Sequence, residues 1–95
     1  MDKYEYNLRL EQMKTLSAEG SYQMAAEIAD TINWRKIKNV TALARAGEIY
    51  EQVERYDESR EVLLMARSRS PMGRTILYRL VCVTVKLEKY DEAWG

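Results

Sequence analysis

The sequence predicts an all-α protein of antiparallel helix pairs, five full helices followed by a truncated sixth, and three observations carry that expectation. A short tyrosine-centred motif recurs as Ser21-Tyr22-Gln23-Met24-Ala25, Arg55-Tyr56-Asp57-Glu58-Ser59 and Lys89-Tyr90-Asp91-Glu92-Ala93. Its tyrosines are 34 residues apart twice over, from 22 to 56 and from 56 to 90. Each period holds two stretches of helical apolar periodicity joined by a short polar turn, the pattern of a helix pair. Four glycines and one proline in 95 residues are too few turn formers for a sandwich or barrel of short strands.

Taken in order, the first helix is expected over residues 3–18. Gly20 suits the exit from it, and Ser21 suits the cap of a second helix at 22–32. A third helix is expected at 38–54. Asp57 and Glu58 then place negative charge in the first turn of a fourth, 57–68, where the macrodipole favours it. Arg67 and Arg69 favour the negative end of that helix, and Pro71 closes it because proline cannot continue a helix. The fifth helix is expected at 74–87 and the sixth from about Tyr90. That last helix is little more than one turn of Asp91-Glu92-Ala93-Trp94-Gly95, below the length that is stable alone. The apolar fifth helix would then lack the cover a complete pair supplies.

The second and third periods agree further: Leu43 with Leu77, Arg45 with Arg79, Val53 with Leu87, and Glu54 with Glu88. Residues 40–73 resemble a tetratricopeptide repeat in length and in pattern. Leu43 stands in the slot usually held by tryptophan, followed by Ala46-Gly47 and Tyr50. Tyr56 opens the second helix, Ser59 replaces the usual alanine, and Leu63, Ala66 and Pro71 complete the unit. The glycine matters because paired helices approach closely there. The first unit, about 6–39, keeps Tyr22 and Ala25 but has Met13 at the glycine slot. The third, 74–95 and incomplete, keeps Tyr90 and Ala93 but has Val81 there. The resemblance implies one domain over residues 1–95, a short right-handed α-solenoid that exposes the first helix of each pair along a concave groove.

With 46 % hydrophobic and 32 % charged residues, the composition is that of a folded domain rather than a disordered chain. Fifteen basic residues balance fifteen acidic ones, so the molecule as a whole has no attraction for nucleic acid or an anionic membrane. No apolar run approaches the ~20 residues of a membrane span, and the polar start Met1-Asp2-Lys3-Tyr4-Glu5 is unlike a signal peptide. Cys82 is the lone cysteine, which suits a reducing compartment. The expected location is cytoplasmic. Histidine is absent, which removes the commonest general base and metal ligand. No glycine-rich phosphate loop, nucleophile elbow or Cys/His metal set is present. The expectation is therefore a protein that is not an enzyme and needs no cofactor or metal.

The resemblance directs attention to the groove. Arg45 and Arg79 occupy equivalent slots, with Asn7, Lys14, Glu48 and Tyr78 as neighbours. Arginines, a lysine and a tyrosine can hold an acidic peptide or a terminal carboxylate through charge-assisted contacts, although Glu48 can also neutralise Arg45. The carboxylate clamp by which some tetratricopeptide domains grip chaperone C-termini is not matched: Arg79 fits its arginine slot, but Leu10, Lys14 and Arg45 stand where its lysine and asparagines belong. Tyr4, Tyr6 and Tyr78 are left over from the repeat packing and free to serve as contact residues.

The leading expectation is thus a scaffold module binding a peptide or helix of a protein partner. The alternative is a structural fragment of a longer repeat protein that self-associates in isolation through an apolar face of Leu77, Leu80, Val81, Leu87 and Trp94. The basic cluster Trp34-Arg35-Lys36-Ile37-Lys38 offers a further alternative, phosphate contacts with Trp34 stacking on a base. Packing of Trp34 and Ile37 between repeats, with the cations in water, is the favoured reading of that cluster.

Overall fold

A computed structural model describes residues 3–70 and 73–94, the last six of these by their backbone alone. Every regular element among them is helical. The helices are α1 (Lys3–Ala18), α2 (Tyr22–Ala29), α3 (Val40–Gln52), α4 (Tyr56–Arg69) and α5 (Arg74–Trp94), with a 3-10 turn at Trp34–Lys36. Neighbours in sequence are neighbours in space, α1 on α2, α2 on α3, α3 on α4 and α4 on α5. In addition α1 touches α3, and α3 touches α5. The outcome is elongated, 45 × 29 × 21 Å.

The helix ends explain these boundaries. After α1, the Ser21 amide donates to the Leu16 carbonyl and Gly20 adopts φ +81°, a left-handed exit that satisfies carbonyls the helix end leaves free. Thirty-four residues on, the Arg55 amide donates to the Tyr50 carbonyl and Glu54 adopts φ +63°. The same exit is made there by a residue with a Cβ, at a conformational cost of about 1–2 kcal/mol. Ser21 does not cap α2 with its side chain as expected. Asn39 does cap α3, its Oδ1 accepting from the Ala42 amide at 3.2 Å. Asp57 and Glu58 fall in the first turn of α4, and Arg67 and Arg69 in its last.

Two expectations change. The second helix stops at Ala29, because Thr31 Oγ1 takes the Ile28 carbonyl and Asn33 opens the 3-10 turn by accepting from the Arg35 amide. The separate sixth helix is replaced by the continuation of α5 to Trp94. Glu88 is the third member of the series Gly20, Glu54, Glu88, yet the chain stays helical through it. No glycine or proline lies between Leu87 and Tyr90, and glutamate and lysine are good helix formers. Left-handed Glu54 is compensated by the packing of α4 on α3. Among the described residues no further helix offers that return to Glu88. Pro71 and the side chains of Tyr90, Asp91, Glu92 and Ala93 lie outside the described residues.

The core is continuous through all five helices. Met13 of α1 meets the small face Ala25, Ala26 and Ala29 of α2, and Leu43, Ala46, Ile49 and Tyr50 carry the core into α3. Val62, Leu63 and Ala66 of α4, then Ile76, Leu80 and Val83 of α5, complete it. At the α3–α4 crossing a Cβ on Gly47 would lie 2.6 Å from Leu63 Cγ. Only glycine fits without moving a fully buried leucine. Beside it the buried Ser59 hydroxyl donates to the Gly47 carbonyl at 2.7 Å, which satisfies a polar group that would otherwise be costly inside.

Candidate functional site

Because α1, α3 and α5 touch, the residues singled out as a groove fall on three adjacent helices. Asn7 and Lys14 are exposed on α1, while Arg45 and Glu48 are half-buried on α3. On α5, Tyr78 is 71 % exposed and Arg79 is half-buried. The charges of this face are largely spoken for. Arg79 lies 3.5 Å from Glu48 and 3.6 Å from Glu51, and Lys86 donates to Glu51 at 3.0 Å. Glu51 holds the Lys86 ammonium above its ordinary pKa. Glu48 therefore pairs with Arg79 across two helices. Arg45 makes no ion pair among the described residues, since its neighbour on α3 has turned to α5.

Leu77, Val81 and Val85 of α5 are exposed at i, i+4 and i+8, Val81 by 62 %, in a row that runs beside Tyr78 and away from Arg79 and Lys86. Leu80 instead points into the core, one hundred degrees round the helix from Val81, and Leu87 packs against the core. The Trp94 side chain is outside the described residues.

The strongest polar cluster joins the end of α2 to α3 and α4, and it was not legible as a motif. The Arg55 guanidinium binds Asp30 through two hydrogen bonds, both 2.9 Å, and donates to Glu58 Oε1 from Nε at 2.8 Å, with Nη2 contacting Oε2. The Tyr50 hydroxyl donates to Asp30 at 3.0 Å, and Arg55 lies 4.9 Å from the centre of the Tyr50 ring. The hydrogen bond from Arg55 holds the Asp30 carboxyl below the usual carboxylate range. Burial, then the bond to Asp30, pushes the Tyr50 phenol well up. These residues are 20 and 25 positions apart in sequence, so their pairing had no local signal.

Trp34 is 7 % exposed, and its indole donates to the Ala29 carbonyl at 3.0 Å. The ring is therefore core, and it offers no face on which a base can stack. Arg35 turns to Glu61 at 3.5 Å. Lys36 and Lys38 are exposed without an ion pair among the described residues. No group of three or more His, Cys, Asp or Glu that could hold a metal ion occurs among the described residues. No helix among them is long and apolar enough to cross a membrane. Comparison with protein-family models, curated proteins and solved structures returns no match.

Proposed function

We propose that the protein is a tetratricopeptide-like interaction module, a short right-handed α-solenoid whose α1–α3–α5 face receives a peptide or helix of a protein partner. Arg45 and Lys14 take an acidic group of that segment, and Tyr78 supplies apolar contact area at little entropic cost. The observation that carries the reading is the pairing pattern across α3 and α5. Glu48 and Glu51 engage Arg79 and Lys86, so the two helices are braced and Arg45 is left for an external carboxylate. The contacts of α1 with α3 and of α3 with α5 support the solenoid arrangement. So do the close approach at Gly47 and the recurrence of one left-handed exit at Gly20 and Glu54.

The test is a titration with a short peptide rich in Asp, Glu and Leu, followed by amide chemical shifts. Shifts are expected on the groove-facing positions of the three helices, and Arg45→Glu should weaken binding roughly tenfold, the worth of one charge-assisted contact. Equal affinity of Arg45→Glu and wild type removes the assignment. Arg79→Glu is the poorer probe, because it places a third carboxylate beside Glu48 and Glu51 and disturbs the bracing itself.

A second reading, self-association as a structural element, is favoured by the exposed row Leu77, Val81 and Val85 on α5. Sedimentation separates the two, since a concentration-independent monomer leaves no role for that row in self-assembly.

A further inference from the structure

The exposed lysines of the basic segment are not scattered in solvent. Lys36 and Lys38 share a cleft of about 600 Å³ with Lys3 and Tyr6 of α1 and with Asn33 and Asn39 of the connector. Among the described residues no carboxylate lines this cleft, whereas each of four other concavities of the surface has at least one glutamate in its lining. Three like charges around one cleft disfavour the folded state unless an anion joins them. The first turn of α3 adds to the same sign, since it follows Asn39 of the cleft lining and its Val40 and Thr41 amides have no intrahelical acceptor.

The neutral groups are donors as well. Asn33 and Asn39 commit their Oδ1 atoms to the Arg35 and Ala42 amides, which leaves the two side-chain NH₂ groups to donate. The Tyr6 hydroxyl is shielded from solvent and has no partner among the described residues, an uncommon state for a buried polar group. Beside these donors the cleft has an apolar wall of Ile32 and Ile37. Its volume lies in the range of small-molecule sites, roughly 300–1,000 Å³.

We propose that this cleft binds a small phosphomonoester, its phosphate held by Lys3, Lys36 and Lys38 with the Asn33 and Asn39 side-chain amides, its organic part against Ile32 and Ile37. A dianionic phosphate matches three ammonium groups and several donors better than a single carboxylate does, because it presents more acceptor oxygens and more charge. The proposal does not depend on the reading of the α1–α3–α5 face.

The experiment is an amide-shift titration of the intact chain at low salt with inorganic phosphate, phenyl phosphate and phenol. Phosphate and phenyl phosphate should give saturable shifts at Tyr6, Asn33, Lys36, Lys38 and Val40, with phenyl phosphate several-fold tighter through the isoleucine wall. Phenol should give none. The double variant Lys36→Gln, Lys38→Gln should lose at least roughly tenfold in affinity. The pair Arg67→Gln, Arg69→Gln on α4 should lose nothing. All of these lysines and arginines are exposed, so the spectra of the variants also report that the fold is kept. The proposal is overturned if no saturable shift occurs, if the lysine double variant binds as wild type does, or if phenol binds as tightly as phenyl phosphate.

Discussion

Two charged regions flank the connector between α2 and α3, and they are built on opposite terms. On one side Asp30, Arg55, Glu58 and the Tyr50 hydroxyl satisfy one another across three elements. On the other, Lys3, Lys36 and Lys38 line a cleft with no acid among the described residues of its lining. The contrast teaches that this surface has the means to pair its charges, and it does so between α3 and α5 and where the end of α2 meets α4. Arg79, Lys86 and Arg35 follow the first pattern, each with a glutamate from another helix. Cations left unpaired beside a concave wall serve something other than internal cohesion.

The comparison breaks most severely at Gly47. Gly47→Val forces β-branched bulk against Leu63 and pushes α4 away from α3, which carries Arg55 and Glu58 off Asp30 and Tyr50. A loss of about 3 kcal/mol is expected from overpacking, read as a fall in the denaturant midpoint, and the paired region should suffer while the lysine cleft keeps its local geometry. A loss below about 0.5 kcal/mol would show that the crossing yields more easily than its 2.6 Å approach implies.

A smaller effect separates the two regions by pH. The Asp30 carboxyl has a depressed folded pKa, so its contribution to stability is present above its unfolded pKa of about 3.9 and is lost as pH falls through the folded value. Asp30→Asn should therefore destabilise at neutral pH by about 1 kcal/mol, modest because the pair is partly exposed. It should also flatten the acid limb of the stability curve below about pH 4. Thermal melts from pH 3 to 7 check this. An acid limb as steep as wild type would place the titrating carboxylate elsewhere.

The smallest effect is expected at the cleft. Lys36→Gln with Lys38→Gln should leave stability within about 0.5 kcal/mol of wild type, or raise it slightly, because no protein contact is lost and like-charge repulsion falls. A marked loss in the same melts would mean that these lysines hold the fold, and the two regions would no longer differ.

Much of the helical frame was legible because it rests on local chemistry. The end of α1 was legible from Gly20, and the limits of α4 came within one residue from Asp57-Glu58 and the run of basic residues. Gly47 was legible as a close approach through the resemblance, and Leu63 stands opposite it. The ends of α2 and α5 were misjudged for a shared reason. Both depend on a balance between continuing a helix and leaving it, and that balance is set by what packs outside. At Ala29 the Asn33 side chain and the docking of Trp34 favour leaving, whereas at Glu88 no cover makes leaving worthwhile. Leu80 and Val81 show the same limit at the scale of one residue, since both are apolar neighbours and only the rotation of α5 decides which one is buried.

The sequence by itself determined an all-helical chain with a 34-residue period, because period and composition act through short-range propensity and amphipathic spacing. Tertiary structure alone decided which charges meet. Ion pairing depends on distances across helices, and these follow from packing at Gly47, Ala25 and Ala29 rather than from residue order. So Glu48, expected beside Arg45, turned to Arg79, and Asp30 found Arg55 twenty-five residues away. The basic segment read along the chain as a solvated run became, once α1 lay beside the connector, one wall of a cleft with no carboxylate among its described lining residues.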